Sequence, residues 1–494
     1  MASYVLDAPE PLLDACTRFA ALLEWTASDT AAGLSHAGVE DEVTSRIREV
    51  ARLVYQAHLD LRAEREPRLA EVVDADGVAR DRAEHGRCRQ LTTVFGEVTV
   101  ERIAYRCQEH PDLKPADADL NLPVEHQSHG LRRLAAVEST RGSYASATTA
   151  IERATGQHVG KRQVEALTVR AAADVDSFYA ARRPEPASCD MVLAMSADAK
   201  GIVMRPEALR PATAKAAASR NLATRLTAGE KRNKKRMAEV VAVFDVACAP
   251  RSVADILPPQ GHTPRPGPVT SGKWLAASVE REAADMITAM AGEAHRRDPT
   301  HQRVWICLVD GNAHQIDRVT AEAQRLGIQI TIIVDLVHVV EYLWAAAWCV
   351  HPRADPAADA WVRRHARALL SGDLDEVLAE LTSSAAGCEQ TRRTGIDKAI
   401  GYLTRHRSRL DYPTALARGW PIATGVIEGA CRHIVADRLD ITGARWGLAG
   451  AEAILKLRAM ISNGDFAAYW PWHLDQEHRR IHRSRYENDT VPEA

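Results

Sequence analysis

Residues 191–201 read MVLAMSADAKG, and residues 304–312 read VWICLVDGN. Each is an apolar run that stops at an acid, Asp198 in the first and Asp310 in the second. Short apolar runs bounded by turn residues read as buried strands. A carboxylate at the end of such a strand is held at the rim of a sheet. Working outward, Met191–Ala197 is a first strand and Gly201–Met204 a second one after a tight turn. Val240–Val246 reads as a third strand, Val304–Val309 as a fourth and Ile328–Val334 as a fifth. Five prolines between Pro258 and Pro268 exclude helix and central strand there. Trp274–Arg296 and Asn312–Leu326 have helical spacing. Three strands, helix, strand, helix, strand predicts a mixed sheet in an α+β chain. If the first and fourth strands are neighbours, Asp198 and Asp310 project from one region.

Residues 336–415 then read as mostly helical, broken at Pro352 and at Ser371-Gly372-Asp373. Gly425–Asp437 reads as one more helix, carrying Glu428. Packed across the sheet, it would add a third carboxylate. Three hard oxygen donors in one place suit a pair of Mg2+ ions, with Mn2+ as the substitute. Two such ions activate a water or a 3′-hydroxyl against a phosphodiester. The competing reading is that the acids merely end strands and that VDG is a turn. Asp335 and His338 stand three residues apart and share a face if a helix starts at Asp335. They read either as a capped helix start or as a pair that orients a metal ligand or a DNA phosphate. Gly267–Lys273, GPVTSGK, has phosphate-loop spacing. Trp274 stands where such a loop needs Ser or Thr, and prolines precede it instead of a strand, which argues against an ATPase.

The 494 residues are 46% hydrophobic and 26% charged, which excludes collagen-like, mucin-like and wholly disordered chains. Nine scattered Cys with no C-x2-C pair exclude a small disulfide scaffold and fit a reducing cytoplasm. The opening residues carry acids where a secretory signal would be basic and then apolar. The most apolar stretch, Ile332–Val350, contains Asp335, His338 and Glu341, so it reads as strand and helix rather than a membrane span. The net charge of −3 hides two uneven segments. Met1–Arg80 holds 8 basic and 15 acidic residues, whereas Arg205–Arg236 holds 10 basic and 2 acidic, a surplus of eight positive charges. The second segment, with Lys231, Arg232, Lys234, Lys235 and Arg236, is a candidate for polyanion contact.

Toward the N-terminus, Ala15–Trp25 and Glu42–Val54 are amphipathic, and residues 1–80 are expected to be helical, as a local bundle or an oligomerisation element. Residues 90–106 alternate around a Gly-containing turn and predict a β-hairpin. Cys107 and His110 follow with C-x2-H spacing, and His85 and Cys88 precede it. These are loop residues by default and half of a zinc site at most. Residues 141–172 predict two short helices: Ser143 is the N-cap of the first, Gly156 ends it, and Lys161, Arg162 and Gln163 open the second. That pattern suits a helix-turn-helix, with cations for phosphates and Gln for a base edge. It also suits any helical hairpin with a Gly turn.

MSADAKGIVM, WICLVDGNAHQ, IIVDLVHVVEYLW, PIATGVIEGACRHIV and TGARWGLAGAEAILKLRAMISNGDFAAYW, taken in this order, resemble the bacterial insertion-sequence transposases of the ISKra type, relatives of the Mutator-like DDE enzymes. The resemblance covers residues from about 90 to about 486. It implies a ribonuclease-H-like catalytic core with a helical insertion before its last helix. Its acids fall on Asp198, Asp310 and Glu428, separated by 112 and 118 residues. Its C/D-x2-H element falls on Asp335 and His338. The chain departs from relatives where a two-cysteine knuckle would follow the hairpin, because Cys107 and His110 stand there. Trp446 becomes a candidate for stacking on a terminal base or a core residue, and Arg432 a candidate for phosphate or for pairing with an acid. The implied organisation is residues 1–80 helical, 81–185 hairpin and helix-turn-helix, 186–340 core, 341–418 helical insertion and 419–494 completion of the core. The implied activity is Mg2+-dependent cleavage and strand transfer at terminal inverted repeats. Duplex DNA is the expected partner, a homodimer or larger assembly the expected state, and the nucleoid-bearing cytoplasm the expected place. The rival expectations are a domesticated DNA-binding protein that no longer cuts and an enzyme of another class.

Overall fold

The computed structural model describes residues 9–184, 187–218, 234–353 and 355–492. They form two compact units. One takes in the chain up to Ala180 together with the chain from Phe466 onward, and the other is Ala181–Asp465.

In the first unit, Ser35 caps the helix His36–Arg65 by accepting from the Gly38 amide. The expected hairpin is present and longer than its alternation suggested. Strand β1 (Arg82–Thr92) pairs antiparallel with β2 (Glu97–Cys107), and β3 (His110–Leu113) adds to β2. Leu91, Val98 and Val100 bury one face of it with Leu59 of the long helix. The two predicted short helices are Tyr144–Thr155 and Lys161–Ala171. Ser143 caps the first, and Gly156 ends it at φ 72°, a left-handed conformation that favours glycine. Helix His129–Arg141 packs with both, and Leu131, Ile151 and Val164 are fully buried among them.

The second unit is built on a five-stranded mixed sheet. Strand β4 is Val192–Val203, β5 Lys235–Ala247, β6 Val269–Ser278, β7 Trp305–Val309 and β8 Ile330–Val334. Their order across the sheet is β8-β7-β4-β5-β6. The first three are antiparallel in sequence, whereas β7 runs parallel to β4 and β8 parallel to β7.

Two expectations need correction here. No turn separates Met191–Ala197 from Gly201–Met204: β4 is one strand, paired rung by rung with β5 from Val192↔Val246 to Val203↔Lys235. The third strand lies where a helix was expected, since Thr270–Ser278 pairs with β5, and the helix starts only at Ala283. Leu275, Ala276 and Ala277 favour helix locally, but a distant strand overrides that preference. Lys273 therefore lies within a strand, and GPVTSGK makes no phosphate loop.

Beyond β8 the chain is helical over Leu336–Val350, Pro356–Ser371, Leu374–Ala386 and Thr394–His406, close to the expected breaks. Helix Gly425–Ala430 runs on through a π-helical turn, Cys431–Ala436. Among the described residues, no helix is long and apolar enough to cross a membrane.

Candidate active site

The sheet register brings the strand-end acids together. Ser196 pairs with Leu308 on the last rung shared by β4 and β7. Two residues further along each strand stand Asp198 and Asp310. Val334 pairs with Val309, and the Asp335 amide donates to the Val309 carbonyl at 2.9 Å, so Asp335 follows Asp310 on the next strand. Asp198, within β4, thus stands at one level with Asp310 and Asp335, which follow the ends of β7 and β8, with about 4.8 Å between neighbouring strands. In-register residues of parallel strands project to the same face.

Each carboxylate has a different setting. Asp198 is half-buried and accepts from the Ala199 amide at 2.6 Å. The Cys431 thiol also donates to it, and burial, reinforced by that neighbouring carboxylate, pushes the thiol pKa up. Asp310 accepts the Asn312 amide at 2.8 Å. Its own carbonyl accepts the Tyr402 hydroxyl at 2.8 Å. Gly311 follows at φ 88°, and a Cβ there would lie 2.5 Å from the Tyr402 hydroxyl. Gly is therefore required in VDG both for the turn and for the approach of Tyr402.

Asp335 is fully buried and caps the helix Leu336–Val350. Its Oδ1 accepts from the Val337 amide at 2.7 Å. Its Oδ2 accepts from the Thr424 amide at 3.2 Å and from the Thr424 hydroxyl. His338 Nδ1 stands 3.5 Å from the same oxygen, within ion-pair range. Burial alone would raise the Asp335 pKa, but His338, Thr424 and the Val337 amide outweigh it and hold it below the usual range. The Asp335 carboxylate in turn lifts His338 to about 9, against the opposing pull of burial.

Glu428 lies on the helix Gly425–Ala430, with its Oε1 3.3 Å from the Thr424 hydroxyl. Cys431, three residues on, contacts Asp198, so one helical segment reaches from Asp335 across to Asp198. Ligand atoms of Asp335, His338 and Glu428 lie within 4.8 Å of one another, and this is the one such group of three among the described residues. The structure therefore gathers Glu428 most tightly with the D-x2-H pair. Asp198 and Asp310 stand beside that group on the same row without joining it at that spacing. Both oxygens of Asp335 are occupied by donors, so its carboxylate is held in place. An all-carboxylate set would suit Mg2+ or Mn2+ rather than a softer metal.

The other predicted residues are more scattered. Lys161, Arg162 and Gln163 are exposed at the start of their helix, but Gln163 Oε1 is used to accept the Gly160 amide at 3.0 Å. Lys231 and Arg232 lie outside the described residues. Lys234 is exposed, whereas Lys235 is paired with Asp440 at 2.8 Å. Arg236 is committed to backbone, donating to Val279 O at 2.7 Å and to Ala208 O at 3.3 Å. Arg432 is exposed. Trp446 is only 7% exposed, its Nε1 donates to Leu439 O at 3.0 Å, and Arg438 covers its ring. It is packed rather than open to a base. Cys107 and His110 are paired across the turn from β2 to β3, and no third ligating side chain among the described residues completes a site with them or with His85 and Cys88.

Thr424, Tyr402 and Cys431 were not found by reading the sequence. Thr424 and Cys431 flank Glu428 at helical spacing and were legible in principle. Tyr402 lies 92 residues from the carbonyl it holds, and no local pattern connects them. Compared with known proteins, the chain matches no protein-family model, and no curated protein sequence matches it significantly.

Proposed function

We propose that the chain is a DDE transposase of an insertion sequence, cutting and joining DNA strands at the ends of its own element. The observation that carries the reading is the row of Asp198 and Asp310 on neighbouring parallel strands, with the Glu428 helix laid against the first of them. Three antiparallel strands followed by two parallel ones on the other side of the first support a ribonuclease-H-like core. The helices between Leu336 and His406 then correspond to the insertion expected between the second acid and the glutamate.

Asp198, Asp310 and Glu428 would hold the divalent cations, Mg2+ or Mn2+. When bound, those ions supply charge neutralisation at the scissile phosphate and an activated hydroxyl. The chain's own residues position the acids. Tyr402 fixes the strand end that carries Asp310. Thr424 bridges Asp335 and Glu428, and His338, cationic at neutral pH, sets a positive charge beside the carboxylates. Cys431 orients Asp198. Lys161 and Arg162 supply exposed cations for duplex phosphates. Both element ends must be cut together, so the working form is a dimer or larger assembly.

The test is Mg2+-dependent nicking of candidate element ends by wild type and Asp198→Asn. The expected result is loss of nicking with duplex binding retained. Normal cutting by the substituted protein would end the assignment. Binding without any divalent-dependent nicking by wild type would favour the domesticated DNA-binding protein.

A further inference from the structure

The end of the β4–β5 hairpin carries a groove that the carboxylate row does not use. It holds about 880 Å³ between Val203, Lys234 and Met237 on one side and the Asp440–Arg445 loop on the other. The loop wall is pinned at both ends. Beyond the rungs it shares with β7, the edge of β4 pairs with Trp446: the Trp446 amide donates to Val203 O at 3.1 Å and the Arg205 amide to Trp446 O at 2.8 Å. The buried Trp446 indole holds Leu439 at the other end of the loop, at 3.0 Å. Packing of Trp446 thus fixes the wall of a groove.

The chemistry of the groove is two-sided. Lys235 is neutralised by Asp440. Lys234 and Arg445 are exposed and form no ion pair with any described residue. Met237 and Ile441, each 44% exposed, line the same groove. A duplex presents an anionic exterior and keeps its base faces stacked, so it offers nothing to those apolar side chains. An unpaired nucleotide offers both a phosphate and a free base face.

We infer that the groove receives an unpaired nucleotide of a DNA strand, its phosphate against Lys234 and Arg445 and its base against Met237 and Ile441. The inference rests on the transposase reading for its substrate. Val203 is five residues beyond Asp198 on β4, about 16 Å along the strand. An odd number of steps sets it on the opposite face of the strand. The groove is therefore a holding point for flanking strand, outside the reacting centre.

The experiment uses the full chain and a fluorescein-labelled dT12 oligonucleotide, followed by anisotropy over a range of salt. Lys234→Glu with Arg445→Glu is expected to weaken binding by about tenfold or more and to lower the salt slope by roughly 0.7, the value for one phosphate on a single strand. Met237→Ala is expected to weaken binding several-fold with the slope unchanged. A blunt duplex of the same length is expected to compete poorly. Unchanged affinity after the double charge reversal overturns the inference, and so does equal competition by the duplex. The two failures separate cleanly. If Asp198→Asn abolishes nicking while the charge reversal leaves dT12 binding intact, the groove falls alone. If the charge reversal removes dT12 binding but wild type shows no divalent-dependent nicking, the groove stands and the transposase reading falls.

Discussion

Tyr402 donates its hydroxyl to the main-chain carbonyl of Asp310 at 2.8 Å, and its ring stacks on Tyr342 at 4.0 Å between centroids. A helix inserted far along the chain thereby fixes the strand end that carries the second acid. Burial pushes the Tyr402 pKa up, so the hydroxyl stays a donor through the physiological range. Gly311→Ala brings a Cβ against that hydroxyl and imposes a left-handed backbone on alanine. The backbone alone is expected to cost about 1–3 kcal/mol, and the steric contact adds to it. Tyr402→Phe, which loses one hydrogen bond and keeps the stack, is expected to cost only about 1 kcal/mol. Urea unfolding of the two variants checks the ranking, and an alanine variant as stable as wild type would contradict the packing.

Thr424 donates twice to the buried Asp335, through its amide and its hydroxyl. Thr424→Val keeps the shape and the amide but removes the hydroxyl. The carboxylate then loses one donor in a dry site, at an expected cost of about 1–3 kcal/mol. Thr424→Ser is expected to restore most of it. Thermal unfolding of both variants is the measurement, and a serine variant less stable than the valine variant would point to the Thr424 methyl contacts instead of the hydroxyl.

The first unit contains its own buried ion network, in which Asp174 pairs with His473 at 2.7 Å and with Arg480 at 2.9 Å. Burial would raise the Asp174 pKa, but the His473 and Arg480 hydrogen bonds prevail and hold it at about 2, below the ordinary 3.8. The folded pKa lies below the unfolded one, so this contribution is complete above pH 3.8 and fades as the pH falls toward 2. Asp174→Asn is expected to lower stability at neutral pH and to flatten its fall between those two values. Denaturant midpoints across that range give the slope, and an unchanged slope would show that Asp174 carries no share of the acid lability.

Burial and the adjacent Asp198 push the Cys431 thiol well above its ordinary pKa, and Cys307 is buried within β7. Neither thiol should form the reactive thiolate at neutral pH. Cys88, Cys189 and Cys248 are exposed. A chromogenic thiol reagent is expected to modify these exposed thiols first and to reach Cys307 and Cys431 only after denaturation, as peptide mapping would read directly. Rapid labelling of Cys431 in the native protein would show that the Asp198 side of the site is open.

The acids were legible because a short apolar run ending in Asp is a local signal, and the extended register then sets Asp198 beside Asp310. The strand boundaries were not. DAKG after an apolar run looks like a turn, yet β5 continues to pair through it as far as Lys235. The segment around Leu275–Ala277 has residues that favour helix, and its strand conformation comes from β5, far away in sequence. Trp446 showed no sign of its burial, because its partners, Val203 and Arg205, lie more than two hundred residues earlier.

The division of labour between Asp310 and Asp335 is the sharpest test of the site. Asp310 is half-buried, and among the described residues its carboxylate receives one hydrogen bond, from the Asn312 amide. Asparagine fits there, so Asp310→Asn is expected to abolish divalent-dependent nicking while moving the unfolding midpoint little. Asp335 is fully buried, with both oxygens engaged by donors. In Asp335→Asn the new amide group meets donors instead of acceptors and loses its partner charge on His338, so a destabilisation of roughly 2–4 kcal/mol is expected. Nicking and urea unfolding measured on the same preparations distinguish the two roles. If Asp335→Asn folds as well as wild type and fails only in cleavage, Asp335 is itself a cation ligand and not a structural brace.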